Sequence, residues 1–115
     1  MLRRVLLLGL LAALLAPAAV ASSRAATTTT DSVRMTEFKF VLTKRAVPRG
    51  LVVFKLVNRG TVPHDFKIKG KTSAKIQPGR RGTVRVRFTK PGKYRYVCTL
   101  PGHEASGMKG VLRVR

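Results

Sequence analysis

The sequence contains one cysteine, no tryptophan and few acidic residues. A lone cysteine cannot form an internal disulfide, so Cys98 must be a buried inert thiol, half of an intermolecular disulfide or a metal thiolate. The acidic residues stand far apart in the sequence, and they are Asp31, Glu37, Asp65 and Glu104. This dispersal argues against a carboxylate catalytic pair and against a cage for a hard cation. No long stretch has a helical repeat, so long helices are not expected.

Positive charge dominates the composition. The chain has 24 lysine and arginine residues against 4 acidic residues, which gives a formal net charge of +20. Such a charge predicts attraction, strongly dependent on salt, to acidic proteins, anionic cell-envelope polymers or anionic lipid. The charge therefore predicts which kinds of partner are attracted, but it does not indicate a reaction or a ligand.

The N-terminus has the three zones of a secretory signal peptide within residues 1–21. Two arginines precede an apolar run at residues 5–15, and the small residues 19–21 (AVA) form a cleavage site. An uncleaved membrane anchor is the alternative, but the run is shorter than the roughly 20 residues that span a bilayer, and Pro17 follows it. The prediction is therefore export to a periplasmic, extracellular or cell-envelope location.

A polar segment follows at residues 22–32. It includes the low-complexity sequence AATTTTDS and has no apolar periodicity, so it is expected to be a disordered linker. The remaining residues, 33–115, are long enough for one small domain with a single core.

Short alternating segments in this domain predict an all-β sandwich or barrel. Proline and glycine pairs that favour tight turns separate them, and the predicted strands are Phe38–Leu42, Leu51–Asn58, Asp65–Lys69, Thr83–Phe88, Lys93–Cys98 and Gly110–Arg115. The alternation predicts that Phe38, Phe40 and Leu42 share one face. It also predicts that Val84, Val86 and Phe88 pack inward, with Arg85 and Arg87 in water. Much of the positive charge is therefore the solvated face of a sheet.

The segment after the fifth predicted strand carries the main chemical signal. Cys98, His103 and Met108 follow a C-x4-H-x4-M spacing in a loop rich in proline and glycine, and His64 lies upstream after another turn. Each of these residues alone would more often be core filler or a surface imidazole. Together, a thiolate, two imidazoles and a thioether are the donors of a blue-copper site.

These segments resemble the cupredoxin family of single-domain blue-copper proteins. The resemblance covers residues 33–115 and rests on CTLPGHEASGM followed by KGVLRV, on NRGTVPHDF and on PGKYRYVC. It implies a cupredoxin-like Greek-key sandwich of about seven to eight strands and one type 1 copper bound by His64, Cys98, His103 and Met108. It further implies a monomeric electron carrier, not an enzyme, that serves exported or membrane-bound redox partners.

The resemblance also assigns supporting roles. An electron port is expected where the His103 edge reaches the surface beside Pro63, Leu100, Pro101 and Gly107. Candidates for hydrogen bonds around the metal ligands, each with a turn or strand-end role as the alternative, are Asn58, Asp65 and Thr99. The basic surface predicts acidic redox partners.

Counting the metal-binding residues narrows the class of protein. One site uses both histidines, which argues against a copper oxidase or copper nitrite reductase, and a binuclear copper centre would need two bridging cysteines. Copper sequestration or delivery stays open, because it needs the same ligands. A nucleic-acid or envelope-polymer binder is a weaker alternative, suggested by the charge and by the basic and aromatic residues of 93–96 (KYRY).

Overall fold

The structure is a computed structural model that describes residues 9–18 and 27–115. Residues 9–18 contain no helix or strand, and the part of the chain that is described has no helix long and apolar enough to cross a membrane. Most of the predicted signal peptide, including the cleavage site at residues 19–21, lies outside the described residues. The signal peptide therefore stays a prediction.

The described residues form nine strands. They are β1 (Thr28–Thr36), β2 (Lys39–Leu42), β3 (Ala46–Val47), β4 (Gly50–Asn58), β5 (Lys67–Ile68), β6 (Lys71–Thr72), β7 (Arg81–Phe88), β8 (Gly92–Val97) and β9 (Lys109–Val114). One sheet has the order β2-β1-β4-β7 and the other β3-β9-β8-β5-β6. The pairs β1–β4 and β3–β9 are parallel, and the other pairs are antiparallel. The predicted all-β sandwich is confirmed.

The alternating residues of both sheets meet in one core. Val52, Phe54 and Leu56 of β4 are buried as predicted, and Val84, Val86 and Phe88 of β7 are also buried. Arg85 and Arg87 are exposed, which confirms that this strand turns its charge to water. Burial of apolar surface between the sheets is the main force that holds them together.

An aromatic cluster at the centre of the core fixes the chain near the metal-ligand candidates. Phe66 lies 5.3 Å from Phe40, 5.1 Å from Phe54 and 5.5 Å from Tyr96, measured between ring centroids. Such aromatic pairs add to the stability that burial alone supplies. Because Phe66 lies two residues after His64, and Tyr96 two residues before Cys98, the cluster anchors both segments that carry ligand candidates.

The prediction of a disordered linker over residues 22–32 is wrong for residues 28–32, which form the first half of β1. Their backbone pairs with β4 from Thr28 opposite Leu51 to Ser32 opposite Lys55. Asp31 is buried and accepts a hydrogen bond of 2.8 Å from the Lys44 backbone N–H. Threonine favours strands, and hydrogen bonding to β4 orders this segment. The sequence shows no sign of this, because the segment lacks an alternation of apolar and polar residues. Residues 22–26 lie outside the described residues.

Smaller differences concern strand ends and strand number. Phe38 does not share the buried face of Phe40: it lies in the turn between β1 and β2 and is 40% exposed. The strand predicted at residues 65–69 shrinks to β5, because the Phe66 backbone N–H is bonded to the Ser73 hydroxyl instead of to a ladder partner. Three strands of only two residues bring the count above the seven or eight expected.

Candidate metal centre

Cys98 lies directly after β8, where that strand delivers its side chain to the interior. Alternation along the strand puts Cys98 on the same side as Tyr96, and the Cys98 side chain is fully buried. Its backbone N–H donates a 3.1 Å hydrogen bond to the Met108 carbonyl. Cys98 is thus fixed by the core on one side and by the start of β9 on the other.

The loop from Cys98 to Met108 folds back so that its two ends meet. The His103 N–H donates to the Leu100 carbonyl, and the Met108 N–H donates to the His103 carbonyl, both at 3.1 Å. Gly107 has a φ of 107°, a backbone conformation that residues with a side chain rarely adopt. The fully buried Met108 is therefore bonded through its backbone to both Cys98 and His103.

His64 reaches the same region from the segment that connects β4 to β5. It forms an isolated antiparallel bridge with Ile76, with hydrogen bonds of 3.1 and 2.8 Å in the two directions, and its side chain is fully buried. Asn58 holds the preceding turn: its amide donates to the Val62 and Ile76 carbonyls at 2.9 Å, and its oxygen accepts from the Gly60 N–H at 2.8 Å. Of its two predicted roles, Asn58 has the turn role.

The three strongest donor candidates converge. The Nδ1 atoms of His64 and His103 lie 3.2 Å apart, and the Cys98 Sγ lies 3.5 Å from the His103 Nδ1. One donor atom from each of these residues lies within 4.8 Å of the others. His64 and Cys98 are buried, whereas His103 is partly exposed. Residues that are separated in the sequence thus form one cluster, and His103 lies at its solvent-facing edge.

Burial raises the pKa of the Cys98 thiol, although backbone hydrogen bonds at Asp65 and Leu100 act in the opposite direction. A thiol with this pKa stays protonated at neutral pH until a bound metal displaces the proton. The same backbone groups would then stabilise the thiolate. The cluster therefore favours a cation that binds sulfur strongly over free thiolate chemistry.

Asp65 ties the two ligand-bearing segments together. Its carboxylate accepts a 2.6 Å hydrogen bond from the Thr99 N–H and a second hydrogen bond from the Thr99 hydroxyl. Asp65 follows His64 and Thr99 follows Cys98 in the sequence. The two residues, named above as candidates for supporting hydrogen bonds, thus join each other across the site.

Glu37 is a neighbour of the site that the sequence did not single out. Its Oε1 lies 3.1 Å from the His64 Nε2 and accepts hydrogen bonds from the Thr61 and Val62 N–H groups at 2.8 and 3.0 Å. If Nε2 donates to this carboxylate, Nδ1 keeps a free lone pair that faces His103. Glu37 precedes His64 by 27 residues, and no spacing motif signals that separation.

Phe38 is a second neighbour that the sequence misplaced. Its ring packs edge-on against the His103 imidazole, with 5.0 Å between the ring centroids. The sequence predicted a core position for Phe38, and the structure places it at the partly exposed side of the cluster instead. It lies where the predicted electron port surrounds His103.

The donor chemistry fits copper. A thiol and two imidazole nitrogens face one point, and a buried thioether residue is bonded to the backbone of two of them. Sulfur and imidazole donors together suit copper in both oxidation states, whereas hard cations prefer oxygen. The residues present therefore match a type 1 copper.

Comparisons with known proteins find relatives in sequence and in fold. The chain is 48% identical to auracyanin-B of Chloroflexus aurantiacus over 42 residues, which cover 36% of this chain and 18% of that protein. A solved structure of auracyanin B superposes with a TM-score of 0.68 at 24% identity, covering 81% of this chain and 92% of that one. Auracyanin A, described as a "blue" copper protein from Chloroflexus aurantiacus, superposes with a TM-score of 0.65 at 19% identity, covering 77% and 100%.

A family model covers nearly the whole sequence. The model of the cupredoxin-like domain matches residues 4–114. Together with a two-sheet fold in which His64, Cys98 and His103 converge, this match establishes the family. The chain belongs to the cupredoxin-like proteins.

Proposed function

We propose that this protein is an exported electron carrier that binds one copper ion through His64, Cys98, His103 and Met108. The observation that carries the proposal is the convergence of one donor atom from each of His64, Cys98 and His103 within 4.8 Å of one another. The relation to auracyanins supports it, since one of them is described as a blue copper protein. The bound copper would supply the one-electron couple.

The surrounding chain keeps the ligands in place through a change of charge. Backbone bonds fix Cys98 to Met108 and His64 to Ile76, and the Asp65 carboxylate holds Thr99. A site held from several directions moves little when its charge changes, so little reorganisation opposes electron transfer. Carrying electrons requires no catalytic residue.

Electrons would enter and leave at the exposed edge of His103. The Phe38 ring packs against this histidine, and we expect the half-buried Pro63 and Leu100 to add apolar surface beside it. Small apolar patches suit the weak, transient contacts that redox partners make. We expect acidic partners, because exposed arginines cover the sheets and would steer them at low salt.

The first prediction separates electron transfer from copper delivery. The copper-loaded protein should be reduced and reoxidised by one electron through many cycles without losing metal, and an acidic redox protein should react with it faster at low salt than at high salt. The measurement is stopped-flow absorbance together with the copper content. A copper-delivery protein would instead give its metal to a metal-free acceptor, and that transfer without reversible reduction would contradict the proposal.

The second prediction concerns Met108. Met108→Gln should leave copper bound, because the two histidines and Cys98 stay, but it should change the reduction potential, since a thioether ligand would tune it. Metal analysis and voltammetry check both parts. Met35→Gln is not a suitable control, because Met35 is buried in the core; Ser106→Ala in the same loop is exposed and should change neither. An unchanged potential in Met108→Gln would remove Met108 from the ligand set.

A further inference from the structure

Glu37 is an acidic group in direct contact with His64, one of the ligand candidates. The His64 ring and the backbone N–H groups of Thr61 and Val62 all contact the same oxygen of Glu37, Oε1. The carboxylate is about one quarter exposed, at 28%, whereas His64 is fully buried. A charged group therefore reaches from the protein surface to a buried imidazole.

The loop before His64 is shaped to receive this carboxylate. A Cβ atom on Gly60 would lie 2.3 Å from the Glu37 Oε1, closer than two such atoms can approach. A side chain at this position would displace the carboxylate. The N–H groups of Thr61 and Val62 both donate to this oxygen, an arrangement that favours the negatively charged form of the side chain.

We infer that Glu37 is a positioning residue with two effects on the copper site: it fixes the His64 tautomer that frees Nδ1, and its negative charge favours Cu(II) over Cu(I). The effect on the tautomer follows from the contact between the Glu37 Oε1 and the His64 Nε2. A carboxylate can only accept a hydrogen bond, so Nε2 must carry the proton. The second follows from Coulomb attraction, which is larger for the more highly charged ion. This inference rests on the proposed copper function.

Glu37→Gln separates the hydrogen bond from the charge. The glutamine oxygen can accept the same three bonds, and the new amide would occupy the position of Oε2, for which the structure shows no hydrogen bond among the described residues. Removing one charge beside a ligand should shift the ratio of Cu(I) to Cu(II) affinity by roughly tenfold toward Cu(I). A tenfold shift corresponds to a rise of about 59 mV in the reduction potential.

Glu104→Gln is the matched control. Glu104 is next to His103 in the sequence and carries the same charge, but it pairs with Arg95 at 2.6 Å. Its side chain is 47% exposed and is not bonded to either histidine in the described residues. Removing the charge of Glu104 should shift the ratio of Cu(I) to Cu(II) affinity by less than about threefold, because water and Arg95 screen that charge.

The tautomer is read without copper. In metal-free protein, long-range 1H–15N spectra should show His64 protonated at Nε2 in the unaltered chain and in Glu37→Gln, but mixed between the two nitrogens in Glu37→Ala. Gly60→Ala, which displaces the carboxylate from the other side, should also mix the tautomers. Circular dichroism checks that each variant is folded.

The outcomes distinguish the two proposals. A rise in potential that is clearly larger for Glu37→Gln than for Glu104→Gln, with the Nε2–H tautomer retained, supports the inference. Equal shifts in the two variants, or the same His64 tautomer in Glu37→Ala, would overturn it. If the unaltered protein fails to bind copper, the proposed function falls, while the metal-free spectra still decide whether Glu37 sets the tautomer.

Discussion

Replacing Cys98 by serine should abolish the intense blue colour of the copper-loaded protein. That absorption comes from charge transfer between a cysteine thiolate and Cu(II), and Cys98 is the only thiol in the sequence. Serine has nearly the same volume, so the fully buried position should stay filled. Copper affinity should fall by more than about 100-fold, beyond what changes in outer hydrogen bonds produce.

The measurement is a copper titration followed by visible absorption and metal analysis. Ser106→Ala is the control, because Ser106 is an exposed residue of the same loop and its backbone bond to Gly102 survives the change. It should keep both the colour and the affinity. A colourless Cu(II) complex of the unaltered protein, or a blue Cys98→Ser variant, would contradict the assignment of the site.

The sequence was sufficient for those parts of the site that are local in the chain. Cys98, His103 and Met108 lie within one loop, so their spacing and the glycines between them predict the turn that brings them together. Strands such as β4 and β7 were predictable because one face is apolar and the other is charged, as in Val84 and Arg85. Such alternation is found wherever one face of a strand packs in the core and the other faces water.

Contacts made by polar residues over long separations were not predictable. The first half of β1 is polar on both sides, and its order comes from parallel pairing with β4, which leaves no period in the sequence. Glu37 and Phe38 sit in a turn, and only the folded sandwich brings them against His64 and His103. Hydrophobic periodicity in a sequence predicts which residues are buried. It does not predict a contact between two particular side chains, such as those of Glu37 with His64 and of Phe38 with His103.

The turn before His64 depends on a single buried amide. Asn58 is fully buried, and its side chain makes three hydrogen bonds with backbone groups of residues 60, 62 and 76. The bond to Ile76 reaches the residue that also bridges His64. Asn58 therefore links the end of β4 to both segments that hold this histidine.

Asn58→Ala should lower the free energy of unfolding by about 2–4 kcal/mol, because it removes three hydrogen bonds and leaves a cavity at a fully buried position. For a domain of this size, that loss corresponds to a fall in Tm of roughly 10–25 °C. Arg59→Ala is the matched control: its side chain is exposed, and its removal should change stability by less than about 0.5 kcal/mol. Chemical denaturation of metal-free protein measures both.

Copper should return part of the stability that Asn58→Ala loses, because a ligand that binds only the folded chain stabilises it by mass action. The variant should nevertheless bind copper more weakly than the unaltered protein, since the His64 segment loses its link to β4. An Asn58→Ala variant with unchanged stability and unchanged copper affinity would show that the backbone bridge between His64 and Ile76 holds the turn without the amide. With reduced stability but unchanged affinity, Asn58 would serve the fold and not the site.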